Sequence, residues 1–242
     1  YGNAWAIPKG IYWRNFATAW TKANMGQYFL NSVLVTAMGL AILLIVSIPA
    51  AYVLSRFKFK GSKFANLYLN AGLFVNLSYI VIPIFLMLLT WNKSLKAEFF
   101  LNNIFVLATV YAATAIPFTV YLLGNYFRTI SVTYEEAAYI DGAGFFRTMV
   151  DIIIPMAKPS IISVILFNFL AFWNEYILAQ TIMTENYTLP VGLVNLQQAS
   201  RGAAQYGTLY AGLVMVMLPT LILYILVQRK LTEGMMVGGE KG

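Results

Sequence analysis

The sequence predicts an all-α, polytopic membrane helix bundle. Three observations carry that prediction. Of the 242 residues, 60% are hydrophobic and only 10% are charged, against about 45–50% and about 25% in an ordinary soluble domain. Five apolar stretches are each long enough to cross a bilayer. The basic residues are shared unequally between the connections that join those stretches. Disorder and a soluble enzyme surface are excluded on composition. The chain contains no Cys and no His. Disulfides, Cys/His zinc sites, cysteine nucleophiles and Ser-His-Asp triads are therefore excluded as well. The formal charge of +7 would suggest nucleic acid in a soluble protein. In this composition it asks which membrane face the basic residues occupy, with lipid as the surrounding partner and no nucleic acid expected.

A spanning helix needs about 20 predominantly apolar residues. Residues 33–54, 67–91, 104–127, 161–183 and 209–227 meet that requirement, and none of these stretches holds a Lys or Arg. Alternating ten-residue strands of an outer-membrane barrel are absent. Ahead of the first span, Trp13, Phe16, Ala17 and Trp20 fall at helical spacing, which predicts an interfacial helix held at headgroup level. Residues 1–10 have neither a basic nor an apolar leader character, so an upstream membrane helix is expected, with residues 1–30 extracytoplasmic. Pro49, Pro83, Pro117 and Pro219 punctuate four spans; each removes a helical hydrogen bond and favours a kink. Such kinks arise from irregular packing or mark helices around a path that opens and closes.

Arg56, Lys58, Lys60 and Lys63 follow the first span, Arg128, Arg147 and Lys158 follow the third, and Arg229, Lys230 and Lys241 lie in the tail. Lys9, Arg14, Lys22, Lys93, Lys96 and Arg201 fall on the other side. The positive-inside rule then makes the first group cytoplasmic, together with the C-terminus.

The longest cytoplasmic connection, residues 128–158, is patterned. Thr133 followed by Glu136 fits a capping box and predicts a helix from about Tyr134. Glu135 and Glu136 fall in its first turn, where the helix dipole favours carboxylates. Gly142 and Gly144 permit a sharp turn. Phe145, Phe146, Met149 and Ile152–Ile154 supply the apolar faces of a second helix, which Pro155 and Pro159 end. The expected form is a helical knob with exposed aromatics, a surface suited to docking.

Within that loop, Glu136-Ala137-Ala138, then Gly142 after three residues, then Ile152, Ile154 and Pro155, resembles the EAA signature of ATP-binding-cassette (ABC) importer permeases. Every spacing matches, with Ile154 where Leu is usual. The string from Glu135 to Pro159, with Asp141-Gly142-Ala143 and Lys158-Pro159, is similar to the carbohydrate-importer branch of that family. Asn31-Ser32, Trp173-Asn174-Glu175 and the glycine-rich tail from Gly234 to Gly242 add weaker likenesses to maltose-type permeases. The resemblance covers nearly the whole chain and lacks only the family's first of six helices.

The resemblance implies one transmembrane permease domain over residues 1–242, of the type I importer fold, in a bacterial or archaeal cytoplasmic membrane. It implies that Glu135, Glu136, Ala137, Ala138, Asp141, Gly142, Ile152 and Pro155 couple the chain to a cytoplasmic ATPase dimer. Further implied partners are a second permease subunit, similar or identical, and an extracytoplasmic solute-binding protein. The chain has no G-x-x-x-x-G-K-[ST] phosphate loop. It is therefore expected to be no enzyme and to hold no cofactor or metal, with ATP and Mg bound by the ATPase subunits.

Glu175 is the one ionisable residue inside a predicted span. It lies 17 residues after Lys158, about 25 Å along a helix at 1.5 Å per residue. Such a charge is costly and marks a pathway or a paired site. Two readings stand: an outer-boundary carboxylate, partly in water or hydrogen-bonded to Asn174, or part of a translocation pathway with Asn76, Tyr79, Trp173 and Asn174. Asn70, Ser78 and Asn168 could bond sugar hydroxyls or join helices. Tyr111, Tyr121 and Phe172 could stack on sugar rings or anchor span ends. The expected function is carbohydrate import, with import of a polyol, glycerol phosphate or another solute as an alternative. An ion-coupled carrier would need buried ion-site carboxylates or inverted repeats. A membrane enzyme would need a cluster of catalytic groups.

Overall fold

A computed structural model describes Gly10 and residues 12–96, 98–203 and 206–236; side chains are described to residue 226, except those of residues 201–203. The described residues form helices and connections without strands. The short α1 (Trp13–Thr21) is followed by α2 (Met25–Arg56), α3 (Ser62–Gly72), α4 (Leu77–Leu95) and α5 (Ile104–Thr129). The long loop contains α6 (Thr133–Ile140), α7 (Phe145–Thr148), a π-helical turn (Met149–Ile153) and α8 (Ile154–Met156). It leads into α9 (Lys158–Trp173), α10 (Ile177–Ile182), α11 (Leu189–Ala203) and α12 (Tyr206–Met236). Four of these helices are long and apolar enough to cross a membrane, and a fifth is added if Phe145–Met156 and Lys158–Trp173, which meet at a 76° bend, are taken together as one. The expectations for residues 1–9 and for the tail beyond residue 236 lie outside the described residues.

The backbone of the bundle is the α2–α5 pair. Both helices are continuous, and at 1.5 Å per residue the 32 residues of α2 extend about 48 Å. They run parallel: Gly39 of α2 lies against the Ala108 carbonyl, and further along, Gly124 of α5 faces the Ala51 carbonyl. Apolar attraction between helices is weak in a membrane, so small residues that let backbones approach supply the contact. Ser32, Thr36, Gly39, Leu43, Ser47 and Ala51 form that buried stripe on α2, one helical turn apart. Because α2 and α5 end together, the basic connection after Arg56 and the long loop share one end of the bundle, in agreement with the charge sorting.

Three apolar clusters hold the rest. One joins α2, α4, α5 and α10 around Leu43, Leu107 and Leu178. A second joins the ends of α2 and α5 to the loop through Tyr52, Phe127, Met149 and Ile153. The third, around Met25, Trp173 and Ala211, ties α1, α2, α9, α11 and α12 at the opposite end. There the Asn31-Ser32 pair has a physical task. Asn31 Nδ2 donates to the Tyr187 carbonyl at 3.0 Å, and Ser32 Oγ accepts from the Leu189 amide at 2.8 Å. The pair satisfies the backbone that launches α11.

Two spans depart from expectation. The second, read as continuous over residues 67–91, is broken at residues 73–76. Its second segment, α4, is started by Asn76, whose Oδ1 accepts from the Ser78 amide at 2.9 Å. The fourth, read as 161–183, breaks at residues 174–176, where side chains take over backbone partners. Hydropathy alone is blind to both.

Gly192 sits so close to Tyr28 that a Cβ there would lie 2.1 Å from the ring, whereas the nearest atom to a Cβ at Gly124 is 3.9 Å away. Gly192→Ala is expected to cost about 1–3 kcal/mol by overpacking, and Tyr28→Ala should restore much of it. Gly124→Ala should be neutral or stabilise by up to about 1 kcal/mol. Thermal unfolding of the detergent-purified protein checks both.

Candidate translocation cavity and docking loop

The two helix breaks face one cavity of about 490 Å³. Thr114, Pro117 and Phe118 of α5 form one wall, Asn168 and Phe172 of α9 another, and Leu77 and Ile80 of α4 a third. Irregular backbone at membrane depth is tolerated where it lines such a space. Pro117 has no amide hydrogen, so the carbonyl of Ala113 loses its helical donor; both residues are on the wall.

Glu175 is the one charged side chain on that wall among the described residues. Its Oε2 accepts from the Tyr111 hydroxyl at 2.8 Å and from the Ala179 amide at 3.0 Å, and its Oε1 accepts from the Leu178 amide at 2.8 Å. Charge-assisted bonds of this kind are roughly twice as strong as neutral ones. One carboxylate thus holds α10 to the end of α9 and both to α5. Its partner is Tyr111 and not Asn174, whose Nδ2 donates to the Leu170 carbonyl at 2.8 Å.

Of the other residues expected on a pathway, Asn76, Tyr79, Trp173 and Asn174 do not line this cavity, whereas Asn168 does. Asn76 caps α4. Tyr79 is 81% exposed and is not in the cavity wall. Trp173 is buried between helices, stacked on Phe169 with its indole N–H donated to the Val216 carbonyl at 3.1 Å. Asn168 is buried, donating to Thr119 Oγ1 and to the Val164 carbonyl. Tyr111 and Phe172, first read as stacking or anchoring aromatics, are on the wall. Pro117 signalled the site as a proline in an apolar run.

At the other end lies the loop. The α6 helix begins one residue before the expected point, and Thr133 does not cap it. Its N-terminus is preceded by Ser131, whose hydroxyl bonds that of Thr133 and accepts from the Thr133 amide. Its C-terminus is a Schellman turn: Ala143 N–H donates to the Ala138 carbonyl and Gly142 N–H to the Tyr139 carbonyl. Gly142 has φ +79, the left-handed conformation that favours glycine. The second helix contains the π turn, a distortion often found at functional sites.

The two acidic residues of α6 face opposite ways. Glu135 is buried, with Oε1 at 2.7 Å from Arg56 Nε, so it is turned to the bundle and is not a surface charge. Arg56 Nη2 also donates to the Ile130 carbonyl at 2.7 Å. Around this pair Tyr52, Phe57, Phe127 and Phe145 pack ring against ring. Glu136, Ala137, Asp141 and Gly142 are exposed, Ala138 is buried, Ile152 half-buried and Pro155 exposed. Ile140 at 86% and Phe146 at 73% exposure flank them. Asp151 forms only a surface pair with Arg147 at 3.5 Å, worth little. The sequence had counted Arg56 as a topology charge; nothing in its spacing announced a buried partner. Among the described residues no three His, Cys, Asp or Glu side chains come together as a metal site.

Membrane-length helices, broken spans around a cavity and an ordered apolar knob at one end define a membrane-embedded transport subunit. The family model of the binding-protein-dependent transport system inner membrane component matches residues 44–230, and the chain belongs to that family. It is 34% identical over 231 residues to the diacetylchitobiose uptake system permease protein NgcG of Streptomyces coelicolor, covering 94% of this chain and 74% of the relative. It is 33% identical to the galactooligosaccharides transport system permease protein GanQ of Bacillus subtilis, over 89% of this chain and 74% of that one. A chain in the crystal structure of a bacterial ABC transporter involved in import of the acidic polysaccharide alginate shares the fold. Its TM-score is 0.78 at 24% identity, over 95% of this chain and 83% of that chain.

Arg56→Met leaves Glu135 buried and unpaired and is expected to cost about 3–5 kcal/mol, most of it recovered by adding Glu135→Leu; thermal unfolding and hydrogen exchange of α6 amides report both. At the cavity, Glu175→Leu leaves three donors without an acceptor and should destabilise by more than Tyr111→Phe, which removes one bond worth about 1 kcal/mol. Equal effects in unfolding measurements would contradict the joint role of Glu175.

Proposed function

We propose that this chain is the permease subunit of an ABC importer that moves a carbohydrate, most simply an oligosaccharide, across a bacterial or archaeal cytoplasmic membrane. The observation that carries the coupling half of this reading is the two-sided loop. One face is locked to the bundle by Arg56–Glu135 and the aromatic cluster. The other presents Ile140, Phe146 and Tyr139 to solvent around Glu136, Ala137 and Gly142. Exposed apolar side chains on a rigid knob favour a protein partner. That partner is a cytoplasmic ATPase dimer, which holds ATP and Mg. Small Ala137 permits close approach, and the exposed Glu136, Asp141 and Pro155 complete the docking face. Ala138, Ile152 and Glu135 act from beneath it by setting its shape. Closure of the ATPase pair moves the knob, and the knob moves the ends of α2 and α5, a rigid-body switch between two states.

The carbohydrate half is supported by the relatives, named for uptake of diacetylchitobiose and of galactooligosaccharides. The cavity agrees in chemistry: Phe118 offers an exposed ring and Thr114 a hydroxyl on its wall. A solute-binding protein delivers the sugar to the outer side, a second permease subunit completes the path, and the loop and C-terminus are cytoplasmic.

The test is a cross-link. With Cys introduced at Ala137, which is clean in a chain without native Cys, a disulfide or short bifunctional reagent should join this subunit to the ATPase. Gly142→Val forces a β-branched residue into left-handed backbone, at about 1–2 kcal/mol, and should uncouple transport from ATP hydrolysis. No cross-link and undiminished transport would exclude the docking role.

A further inference from the structure

Resting on the permease reading, we propose that Glu175 makes the groove along this subunit an anion-excluding filter, so that the sugar carried is built of uncharged units, without carboxylate or sulfate groups. The cavity of about 490 Å³ has this one charged side chain on its wall. An adjoining space of about 420 Å³ shares Gly72, Val75, Ala113 and Pro117 with it, so the two are parts of one groove. Among the described residues, no Lys or Arg lines either part. The charge of Glu175 therefore has no counter-ion along the groove wall.

The partners of the carboxylate fix its state. Oε1 accepts from the Leu178 amide, and Oε2 accepts from the Ala179 amide and the Tyr111 hydroxyl. Three donors and no acceptor reach it, which is the set an ionised, acceptor-only carboxylate takes. These bonds stabilise the charge without cancelling it. The start of a helix carries at most about half a positive charge, α10 is only 6 residues long, and the tyrosine hydroxyl is neutral. About half a negative charge or more is left facing the groove. Most of the remaining wall is apolar, and a cleft with low-dielectric walls and one sign of charge focuses that field instead of dispersing it.

The consequence for a solute follows from sign alone. A neutral sugar meets no net repulsion and has the Thr114 hydroxyl and the Phe118 ring to contact. A uronate or a sulfated sugar is repelled at every position within reach of Glu175. The carboxylate that joins α10 to α9 and α5 thereby also sets a property of the cargo. The filter acts after the solute-binding protein has made its own choice, so it is measured best in a way that bypasses delivery.

The experiment uses the importer assembled with its partner subunits, nucleotide-free and ATP-trapped, with Ala113→Cys as reporter. Ala113 is exposed and lines both parts of the groove, and the chain has no native Cys. A cationic and an anionic methanethiosulfonate reagent are applied, and the ratio of their rates is compared with that at Gln197→Cys, exposed on α11. The two reagents carry opposite charges, so the ratio reports the field twice over. Glu175→Gln is expected to lower the cation-to-anion ratio at residue 113 by about tenfold and to leave it unchanged at residue 197. Should Glu175→Gln fail to assemble, the reporter with Glu175 intact still decides. Its ratio should fall towards the residue-197 value as salt is raised to about 1 M, where screening acts within about 3 Å. A ratio at residue 113 that responds neither to Glu175→Gln nor to salt overturns the filter. So does a residue 113 that labels in neither state. The permease reading fails separately, if the chain forms no assembly with an ATPase subunit.

Discussion

Much of the molecule depends on one buried ion pair. Arg56 ends the longest helix and Glu135 opens the loop helix α6, with 2.7 Å between their charged atoms. Removing two charges from water costs several kcal/mol per ion, and their attraction repays that only when geometry is good and other partners are satisfied. Here Arg56 Nε and Glu135 Oε1 meet as an ion contact without hydrogen-bond alignment, and the guanidinium donates from Nη2 to the Ile130 carbonyl, the residue at which α5 has just ended. One side chain thus fixes the ends of α2 and α5 and the start of α6. What the pair supplies is position more than stability: without it α6 could rotate on its apolar cushion, and the face carrying Glu136 and Ala137 would have no defined direction.

The same logic recurs at the far end with opposite sign. Glu175 is also a carboxylate withdrawn from water, but it has no cation. Two backbone amides and the Tyr111 hydroxyl satisfy it, and in doing so they end α9, start α10 and bind both to α5. The charge read from the sequence as a pathway marker is therefore structural and on the wall of the cavity at once. Between these two fixed points, α5 carries Pro117 and faces the break in the second span. The bundle is rigid where α2 and α5 pack through small residues and discontinuous where the cavity lies. That division suits a machine that must transmit motion from one end and change shape in the middle.

How much of this the sequence disclosed depends on the kind of force involved. Hydropathy is a sum over a window, and it located the third span within a few residues, since α5 is Ile104–Thr129 against an expected 104–127. It missed both breaks, because each is made by single side chains, Asn76 and Glu175, competing with backbone bonds inside apolar runs. Local backbone chemistry was legible where it needs no tertiary partner, as at Gly142. It misled at Thr133, where Ser131 is the neighbour that matters. The Arg56–Glu135 pair was out of reach, since residues 79 positions apart meet only once the parallel packing of α2 and α5 is known. Trp173 and Asn174 drew attention as a motif, yet one packs between helices and the other folds back onto its own turn.

The central claim is that the loop and the ends of α2 and α5 move as one body. Paired spin labels at Ala137→Cys and Lys58→Cys, in a chain free of native cysteine, measure it directly in the assembled importer by pulsed electron resonance. The account predicts one narrow distance distribution, unchanged between the nucleotide-free and ATP-trapped states. A distribution that shifts or broadens when ATP binds would show the loop hinging independently of the bundle, and would contradict it.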